Sequence, residues 1–527
     1  MSRRHRFAVI LLLGAALGMI ADRPAASQPD PGYWRLADIE AQFAAWETAH
    51  PDLVACSVLG ASGQKRAILM LTVTNRAVPA ADKPRLLFHG AQHANECLGT
   101  AAIMAQAAAL LAGYGADPQV TARVDNLQLV FVPVLNPDGH AYVFGDHPSW
   151  TDWRKNLRDN NDNDEVDFPD DGVDLNRNWD WYWNDCDDSD PESQYYKGPR
   201  IFSECEVVAL RDWILAQRPL LVLDYHSPAT INWTNTIFYP WLSINGGGQA
   251  PDYNVARDVA VGWGAATRTL QGSTYSSVPA YDSLPKEQCW VYGRTGILAY
   301  VMEIGAQCWY SGADVDSIAA RVARGSTYLL DRVLSGPGIY GSVCDAATGV
   351  PLAAEVQITQ MHSNYVGPRL CDAEHGRYWR LTRSGTFTVR ALHPGYETQS
   401  QTASVAADWQ KVDFALQRIA TGVDDDQDAG PGDGASGNEL ADAASWLCGD
   451  RRVCSGQTIH LRLPAESPVA HCELYDLRGR CLGRLGSDLA GGRDQSLRLP
   501  GRLASGTYLL RITAGGRQQV ARLICVQ

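Results

Sequence analysis

Apolar and polar positions follow two different patterns along the chain, and the first covers residues 28–335. Continuous apolar runs such as LQLVFVPVL (127–135) and LLVLDYH (220–226) alternate there with longer stretches such as TAAIMAQAAALLAGY (100–114) and SECEVVALRDWILAQ (203–217). The apolar runs are typical of buried strands, and the longer stretches are typical of helices. We therefore predict an α/β fold with a mixed, largely parallel sheet and helices on both faces.

The second pattern is an alternation of apolar and polar residues with period two. Strings such as RYWRLTRSGTFTVRAL and TASVAADWQKVDFAL indicate short strands separated by Gly, Pro and Asp turns. We predict a small antiparallel β-sandwich over residues 336–418. Residues 419–440 are rich in Gly, Asp and Ser, which indicates a flexible acidic linker. The strands and turns of residues 441–527 predict a second small β-sandwich.

The first 27 residues have the composition of a targeting segment. MSRRHR is cationic, FAVILLLGAALGMIA is apolar, and ADRPAAS is rich in small residues. The apolar part is shorter than the ~20 residues of a membrane span, which favours a cleaved secretory signal over an uncleaved anchor. We expect the mature protein to be secreted or at the cell surface of a bacterium, without a membrane span.

Charge and cysteine content narrow the picture further. A net charge of -14 over 527 residues argues against nucleic acid as a partner. Thirteen cysteines in an exported chain predict disulfides, although the odd number leaves at least one cysteine unpaired. The sequence does not fix the connectivity, and plausible local pairs are Cys289 with Cys308, Cys344 with Cys371, and Cys448 with Cys454.

The string HGAQHANEC, between a predicted strand and a predicted helix, contains several residues that can bind zinc. Loops at the carboxyl ends of strands are where ligands bind in open α/β sheets. His93 and Glu96 are three residues apart and can converge on one metal, with His226 at another strand end as the third ligand. Three ligands and an open position are typical of catalytic zinc. We interpret His89 as a histidine with a structural hydrogen bond, and Cys97 as a packed helix residue or a half-cystine.

Several other motifs accompany this loop in a fixed order: PVLNPDGHAY (133–142), DWRKN (152–156), GVDLNRNWD (172–180), YYKGPRIFSECE (195–206), DYHSP (224–228) and AYVMEIG (299–305). With them, residues 31–335 resemble the zinc metallocarboxypeptidase family, typified by pancreatic carboxypeptidase A. The resemblance implies that His93, Glu96 and His226 bind one zinc ion. It also implies hydrolysis of the C-terminal peptide bond in peptides or proteins with a free C-terminus.

The resemblance also implies catalytic roles. Glu303 in VMEIG matches the general base, and Arg154 in WRK matches the arginine that stabilises the oxyanion, with Arg158 as a rival. Asp174 matches a carboxylate that orients the first histidine ligand. These roles agree with the chemistry, since peptide hydrolysis needs an activated water and a stabilised tetrahedral oxyanion.

Substrate-binding roles follow in the same way. Asn176 and Arg177 match the pair that holds the terminal carboxylate, and Tyr281 lies at the family's spacing for the tyrosine that closes over substrate. Gln288 agrees with the regulatory carboxypeptidase branch, which prefers C-terminal Lys or Arg. That branch has an Asp after a Tyr-Pro-aromatic string, whereas Leu242 follows YPW here, so a basic preference is not expected.

The two later modules carry resemblances of their own. GRYWRL and SGTFTVRALHPGYE resemble the transthyretin-like domain of the regulatory branch (types E, N, M and D). ELYDLRGR and SGTYLLRI resemble C-terminal sorting domains of bacterial exported enzymes, which implies secretion machinery as a partner. An ordinary Ig-like accessory domain is the alternative for this last module.

An acidic segment, RDNNDNDEVDFPDDGVD (158–174), lies between two of the motifs. It is either a solvated loop or a structural calcium site, although the residue at position 6 of a calcium loop is Asp164 where Gly belongs. The candidate calcium ligands, at positions 1, 3, 5, 7, 9 and 12, are Asp159, Asn161, Asn163, Glu165, Asp167 and Asp170.

Two other functions remain open from the residues. The first is a zinc amidohydrolase of the same fold that acts on peptidoglycan peptides or N-acyl amino acids. The second is a non-catalytic surface binding protein, against which Glu303 argues.

Overall fold

The computed structural model describes residues 32–146, 152–228, 233–242, 249–281 and 284–419 and, beyond residue 446, the strands given below together with residues 499, 500 and 503. By its contacts the chain divides into two compact units, Met1–Gly422 and Val423–Gln527. The predicted signal segment and nearly all of the predicted linker lie outside the described residues. The first unit contains both the predicted α/β domain and the predicted first β-sandwich, so the boundary between them stays a prediction.

The first unit is built on an eight-stranded sheet with the order β1-β2-β4-β3-β5-β8-β6-β7. Four neighbouring pairs are parallel (β4-β3, β3-β5, β5-β8, β6-β7) and three are antiparallel (β1-β2, β2-β4, β8-β6). The prediction of a mixed, largely parallel sheet is therefore confirmed. Its strands are β1 Val54–Ala61, β2 Ala67–Val73, β3 Arg85–Gly90, β4 Gln128–Val132, β5 Leu221–His226, β6 Thr236–Leu242, β7 Ser276–Tyr281 and β8 Leu298–Glu303.

Eight helices accompany this sheet in the described part of the unit. Helix α2 is apolar on nearly its whole circumference and is buried along most of its length, where it packs on α8. Asp117 caps α3 by accepting backbone N–H bonds from its first turn. The helices are α1 Leu36–Ala49, α2 Leu98–Gly113, α3 Pro118–Asn126, α4 Pro137–Ala141, α5 Cys205–Gln217, α6 Tyr253–Ala266, α7 Glu287–Thr295 and α8 Gly312–Ser335.

Within the described residues, no single helix is both long enough and apolar enough to cross a membrane. The pair α2 and α3, bent by 110° at the break between them, passes by length and composition alone.

The strands after α8 form two sheets, one with the order β10-β12-β13 and one with the order β11-β9-β14, in which β15 also pairs with β9. They contact the α/β part closely: Arg383 Nε donates to Asp258 Oδ2 at 2.6 Å, and Trp409 Nε1 donates to the Val333 carbonyl at 2.7 Å. Their bounds are β9 Gly338–Asp345, β10 Glu355–Ile358, β11 Arg377–Leu381, β12 Gly385–Leu392, β13 Gln399–Val405, β14 Trp409–Lys411 and β15 Phe414–Leu416.

The described part of the second unit consists of strands in two sheets, with the orders β16-β18-β21 and β17-β23-β22-β19-β20. These strands agree with the all-β pattern of residues 441–527. They are β16 Leu447–Cys448, β17 Arg452–Cys454, β18 Thr458–Arg462, β19 Ala470–Asp476, β20 Cys481–Leu489, β21 Asp494–Arg498, β22 Gly506–Ala514 and β23 Arg517–Val526.

The disulfide predictions for the first unit are wrong, because the structure joins neither Cys289 to Cys308 nor Cys344 to Cys371. The thiol of Cys289 donates to the Tyr281 carbonyl at 3.3 Å, whereas Cys308 Sγ lies 3.9 Å from the Pro228 carbonyl oxygen. Nearness in sequence does not bring two cysteines into the narrow geometry that a disulfide needs. The side chains of the third predicted pair, Cys448 and Cys454, lie outside the described residues.

Glu206, at the start of α5, is a buried acid whose ionisation affects stability. Its Oε1 accepts the Gly63 backbone N–H at 3.3 Å, and burial raises its pKa from 4.5 to about 7. Between these two pKa values the unfolded chain releases its proton first. The free energy of unfolding therefore falls as pH rises through this range and is constant above it.

We expect Glu206→Gln to raise Tm at about pH 8 and to leave it nearly unchanged at about pH 4, with a stabilisation of about 1–3 kcal/mol at the higher pH. Calorimetry at both pH values measures this, with the exposed Glu40→Gln as the matched control. An equal change of Tm at the two pH values would contradict the prediction.

Candidate metal centre

Three side chains converge at the carboxyl ends of β3 and β5. His93 Nδ1 lies 2.9 Å from Glu96 Oε1, His226 Nδ1 lies 2.7 Å from Glu96 Oε2, and the two Nδ1 atoms are 3.0 Å apart. All three side chains are buried. His93 and Glu96 belong to the loop between β3 and α2, and His226 is the last residue of β5. The structure thus brings together the three residues that the sequence predicted as a zinc site.

Each histidine is oriented by a carboxylate on the side away from this meeting point. His93 Nε2 lies 2.9 Å from Asp174 Oδ1, and His226 Nε2 lies 2.6 Å from Asp224 Oδ2. Such carboxylates hold the proton on Nε2 and leave the Nδ1 lone pair available to a metal. The donor set, two neutral imidazoles and one carboxylate, is one that zinc binds. The residues therefore fit a zinc ion.

Sequence reasoning assigned the carboxylate beside His93 but missed Asp224. A signal was present, because residues i and i+2 of a strand point to the same face, and Asp224 precedes His226 by two positions in LLVLDYH. Burial opposes ionisation of Asp224, but its contacts with His226 and His89 lower its pKa overall. Asp224 therefore carries a negative charge next to the metal centre.

Arg154 lies at the rim of the centre, and its rival Arg158 does not. Arg154 Nη1 donates to Glu96 Oε1 at 2.8 Å and its Nη2 donates to Asp174 Oδ2 at 3.1 Å. Arg158 Nη1 instead donates to Glu204 Oε1 at 3.3 Å. Of the two arginines, only Arg154 contacts a metal-binding side chain in the described structure.

Glu303 ends β8 directly opposite His226 in the parallel register of β5 and β8. Its Oε2 atom is buried and has no hydrogen-bond partner among the described residues. Burial raises the pKa of Glu303 to about 7, while the nearby His226 acts in the opposite direction. A carboxylate with this affinity for protons, next to a metal centre, is suited to accept and return one near neutral pH.

Asn176 and Arg177 lie in a single helical turn, Leu175–Arg177, that begins at Asp174. Asp174 Oδ1 accepts the Asn176 backbone N–H at 2.8 Å, which ties this turn to the metal centre. The Arg177 guanidinium lies over the ring of Tyr195, 5.2 Å from its centroid, and its buried Nε has no hydrogen-bond partner among the described residues. Arg177 Nε also lies 3.6 Å from Asp188 Oδ2, so the donor capacity that remains for an anionic ligand is shared with this ion pair.

The other two predicted substrate-binding residues have contrasting environments. Tyr281, the last residue of β7, is 58% exposed. Gln288 is buried in α7, and its Nε2 donates to the carbonyls of Phe238 at 2.9 Å and Ala299 at 3.1 Å. The amide hydrogens of Gln288 thus join α7 to the sheet. A substrate role for either residue stays a prediction.

A second buried group lies behind the first. His89 Nε2 lies 2.8 Å from Glu287 Oε1, and His89 Nδ1 lies 3.4 Å from Asp224 Oδ1. Gln92 Nε2 donates to the other oxygen of Glu287 at 2.8 Å. His89 therefore has the structural role that the sequence predicted. Sequence reasoning missed Glu287, which is 198 residues away from His89 and has no local motif to mark it.

Cys97, the other predicted scaffold residue, lies at the N-terminus of α2. Its thiol donates to the Ala94 carbonyl at 3.3 Å. Burial raises the pKa of Cys97 well above its usual value, which disfavours the thiolate that would bind a metal. Cys97 is a packed residue in this structure.

In the acidic loop, residues 158–174, carboxylates accept hydrogen bonds from the loop itself and do not converge on one point. The Asp159 carboxylate accepts four backbone N–H groups, and no three acidic, histidine or cysteine side chains of this loop converge within the described residues. Asp164 has a φ of +63°, the left-handed conformation that Gly takes at this position of a calcium loop. Calcium binding stays a prediction for Asp159, Asn161, Asn163, Glu165, Asp167 and Asp170.

Comparison with known proteins gives distant relatives. The chain is 29% identical over 243 residues to the inactive metallocarboxypeptidase ECM14 of Ajellomyces capsulatus (strain H143). This alignment covers 44% of this chain and 38% of that protein. It is 26% identical over 275 residues to carboxypeptidase B of Astacus astacus, and this second alignment covers 51% of this chain and 84% of that protein. The chain thus spans less than half the length of the fungal relative.

Solved structures of carboxypeptidases are similar at lower identity. Carboxypeptidase A from Helicoverpa armigera aligns with a TM-score of 0.49 and 20% identity, over 57% of this chain and 73% of that chain. The model of the family described as zinc carboxypeptidase matches residues 39–310 of this chain. Because that match covers more than half of the 527 residues and includes the whole metal centre, the protein belongs to the zinc carboxypeptidase family.

Proposed function

We propose that this protein is an active, exported zinc carboxypeptidase that removes the C-terminal residue of peptides or proteins. The observation that carries the proposal is Glu303, which lies opposite His226 across two parallel strands and has one carboxylate oxygen, Oε2, that is buried without a hydrogen-bond partner among the described residues. Some relatives are named inactive, so the proposal depends on this chain's own residues. Here the metal-binding side chains and the proton acceptor are present together.

Substrate orientation rests on Arg177. Its guanidinium has hydrogen-bond capacity left and lies next to Asn176. An arginine in this position binds a carboxylate strongly, and only the free end of a peptide carries that carboxylate at the backbone. Asn176 and Arg177 would therefore place the last peptide bond, and no internal bond, beside Glu303.

Proton transfer rests on Glu303. Zinc, when bound, supplies a positive charge that acidifies water and polarises a carbonyl. Glu303 takes a proton from the attacking water and gives it to the leaving amine, which its raised pKa allows at neutral pH. Arg154, at the rim of the centre, donates to the oxygen of the substrate carbonyl as negative charge develops there.

Two alternatives use the same residues. A zinc amidohydrolase of this fold would act on peptidoglycan peptides or N-acyl amino acids, and its substrates would compete directly with blocked dipeptides. A surface binding protein would bind peptides without turnover. Glu303 favours a hydrolase, either the carboxypeptidase or the amidohydrolase, over the binding protein. Arg177 favours substrates with a free terminal carboxylate.

Export is the second part of the proposal. The composition of residues 1–27 supports export. The strings ELYDLRGR and SGTYLLRI in the second unit support delivery by bacterial secretion machinery. A separate part of the proposal is that the strands of residues 338–416 form a transthyretin-like module of the enzyme. Peptide sequencing of the N-terminus of protein recovered from culture medium tests the cleavage near Ser27.

We expect Glu303→Gln to abolish release of the C-terminal residue from blocked dipeptides, with a loss of about a thousandfold or more in kcat, because the proton acceptor is removed. Bound zinc, measured by atomic emission, stays at the wild-type level. The exposed Glu192→Gln serves as the matched control and retains wild-type activity. A Glu303→Gln enzyme with a near-normal rate would exclude Glu303 as the base.

Asp224→Asn tests the carboxylate that the sequence did not predict. We expect zinc affinity to fall about 10–100-fold, because His226 loses the carboxylate that orients its ring. Competition with a chelator measures zinc affinity without an activity assay, and the exposed Asp185→Asn serves as the control. An unchanged zinc affinity in folded Asp224→Asn protein would show that Asp224 does not orient the ligand.

Calcium, as a structural ion in the acidic loop, is tested by heating the protein with calcium and with EGTA. If the ion binds, Tm rises with calcium concentration, since a ligand that binds only the folded state stabilises it. Asp159→Asn should remove the response, because Asp159 stands at position 1 of the candidate loop. Equal Tm values with calcium and with EGTA would exclude the site.

A further inference from the structure

Lys286, immediately before helix α7, is a half-buried lysine with an unusual environment. Within the described residues, its ammonium forms neither a hydrogen bond nor an ion pair, although its backbone carbonyl accepts the Trp290 N–H at 3.0 Å. Removing an ammonium from water costs free energy, which a ligand of opposite charge would offset. The position therefore suggests a ligand that supplies the missing negative charge.

Three charged groups of the active site act on Lys286: Arg177 repels its ammonium, Glu303 attracts it, and Arg154 repels it more weakly. Cys289, in the same helix start, also favours the charged form of Lys286. Burial, with Arg177 next, lowers the pKa of Lys286 from its usual value. Lys286 therefore adds positive charge to the side of the site where Arg177 would hold the substrate.

Two of the nearby carboxylates are engaged by other side chains. Glu287 contacts His89 through one oxygen and Gln92 through the other, at 2.8 Å each. Asp224 contacts His226 at 2.6 Å. Glu303 is the proton acceptor of the proposed reaction. A carboxylate on the substrate would give the Lys286 ammonium a partner and leave Glu303 free to accept a proton.

The start of α7 lies against the turn that binds the substrate terminus. Asn176 Oδ1 accepts the Glu287 backbone N–H at 2.9 Å, which places Lys286 one residue from that contact. Gln288, the residue that the sequence suggested for specificity, donates its amide hydrogens to the carbonyls of Phe238 and Ala299. Lys286 is thus the side chain of this helix start with its donors still available.

We propose that the enzyme prefers substrates whose C-terminal residue is glutamate or aspartate, and that Lys286 binds the side-chain carboxylate of that residue while Arg177 binds the backbone carboxylate. The proposal rests on the carboxypeptidase function proposed above. A C-terminal Lys or Arg would place a third cation beside Lys286 and Arg177. A large apolar side chain would leave the ammonium without water and without a partner.

The test compares blocked dipeptides that end in Glu and in Gln, which have nearly the same size and differ in charge. We expect kcat/KM to be at least about tenfold higher for Glu, because an interaction with a buried charge is lost with Gln. Lys286→Met should lower kcat/KM for the Glu substrate by about tenfold or more and change the Gln substrate by less than about threefold. Lys286→Arg should retain the preference for Glu.

A control variant, Lys411→Met, removes an exposed lysine of the later strands and should leave both substrates unaffected. Equal kcat/KM values for Glu and Gln in the wild type would overturn the proposal while leaving the carboxypeptidase function intact. An equal loss for both substrates in Lys286→Met would also overturn it, since Lys286 would then bind the backbone carboxylate or support the fold.

A binding measurement separates this proposal from turnover. Calorimetry with N-acetylglutamate and N-acetylglutamine on zinc-loaded protein needs no hydrolysis. Tighter binding of N-acetylglutamate, lost in Lys286→Met, supports the proposal even if no dipeptide is cleaved and the carboxypeptidase function fails. Equal binding of the two compounds, or a preference that survives in Lys286→Met, overturns it.

Discussion

The site depends on the alignment of the carboxyl ends of three adjacent parallel strands, β3, β5 and β8. His226 and Glu303 end β5 and β8 opposite each other, and the loop after β3 carries His93 and Glu96. A slip of one residue between two of these strands would turn every side chain of the shifted strand to the other face of the sheet. The buried apolar faces of the sheet fix the register, and the register in turn brings the ligands to one point.

Buried charge then determines how well the ligands are held. Glu96, Asp174 and Asp224 would each be costly to bury alone, and each is offset by contacts with His93, His226 or Arg154. These contacts orient the side chains of the metal centre more than they stabilise the fold. Both imidazole rings are fixed with Nδ1 toward a common point, so a metal meets a preformed set of donors.

Sequence reasoning succeeded where a function depends on a short motif at a predictable place in the fold. His93, Glu96 and His226 were proposed from their positions at strand ends, where an α/β sheet collects ligands, together with the resemblance that the accompanying motifs carry. Contacts between distant segments were not predictable: Glu287 meets His89 across 198 residues, and no local pattern marks that pairing. The two disulfide pairs predicted for the first unit failed for the same reason, since closeness along the chain says little about distance between thiols.

Helix α7 joins the two ends of the site. The Glu287 backbone N–H binds Asn176, next to the expected position of the substrate terminus, while the Glu287 side chain binds His89 and through it meets Asp224 and the metal centre. Replacing the Glu287 side chain would remove its contact with His89 and leave in place the backbone N–H that binds Asn176. Lys286 precedes Glu287 and takes no part in either set of hydrogen bonds with its side chain. Selection of the C-terminal residue can thus change at Lys286 while the orientation of the metal ligands is preserved.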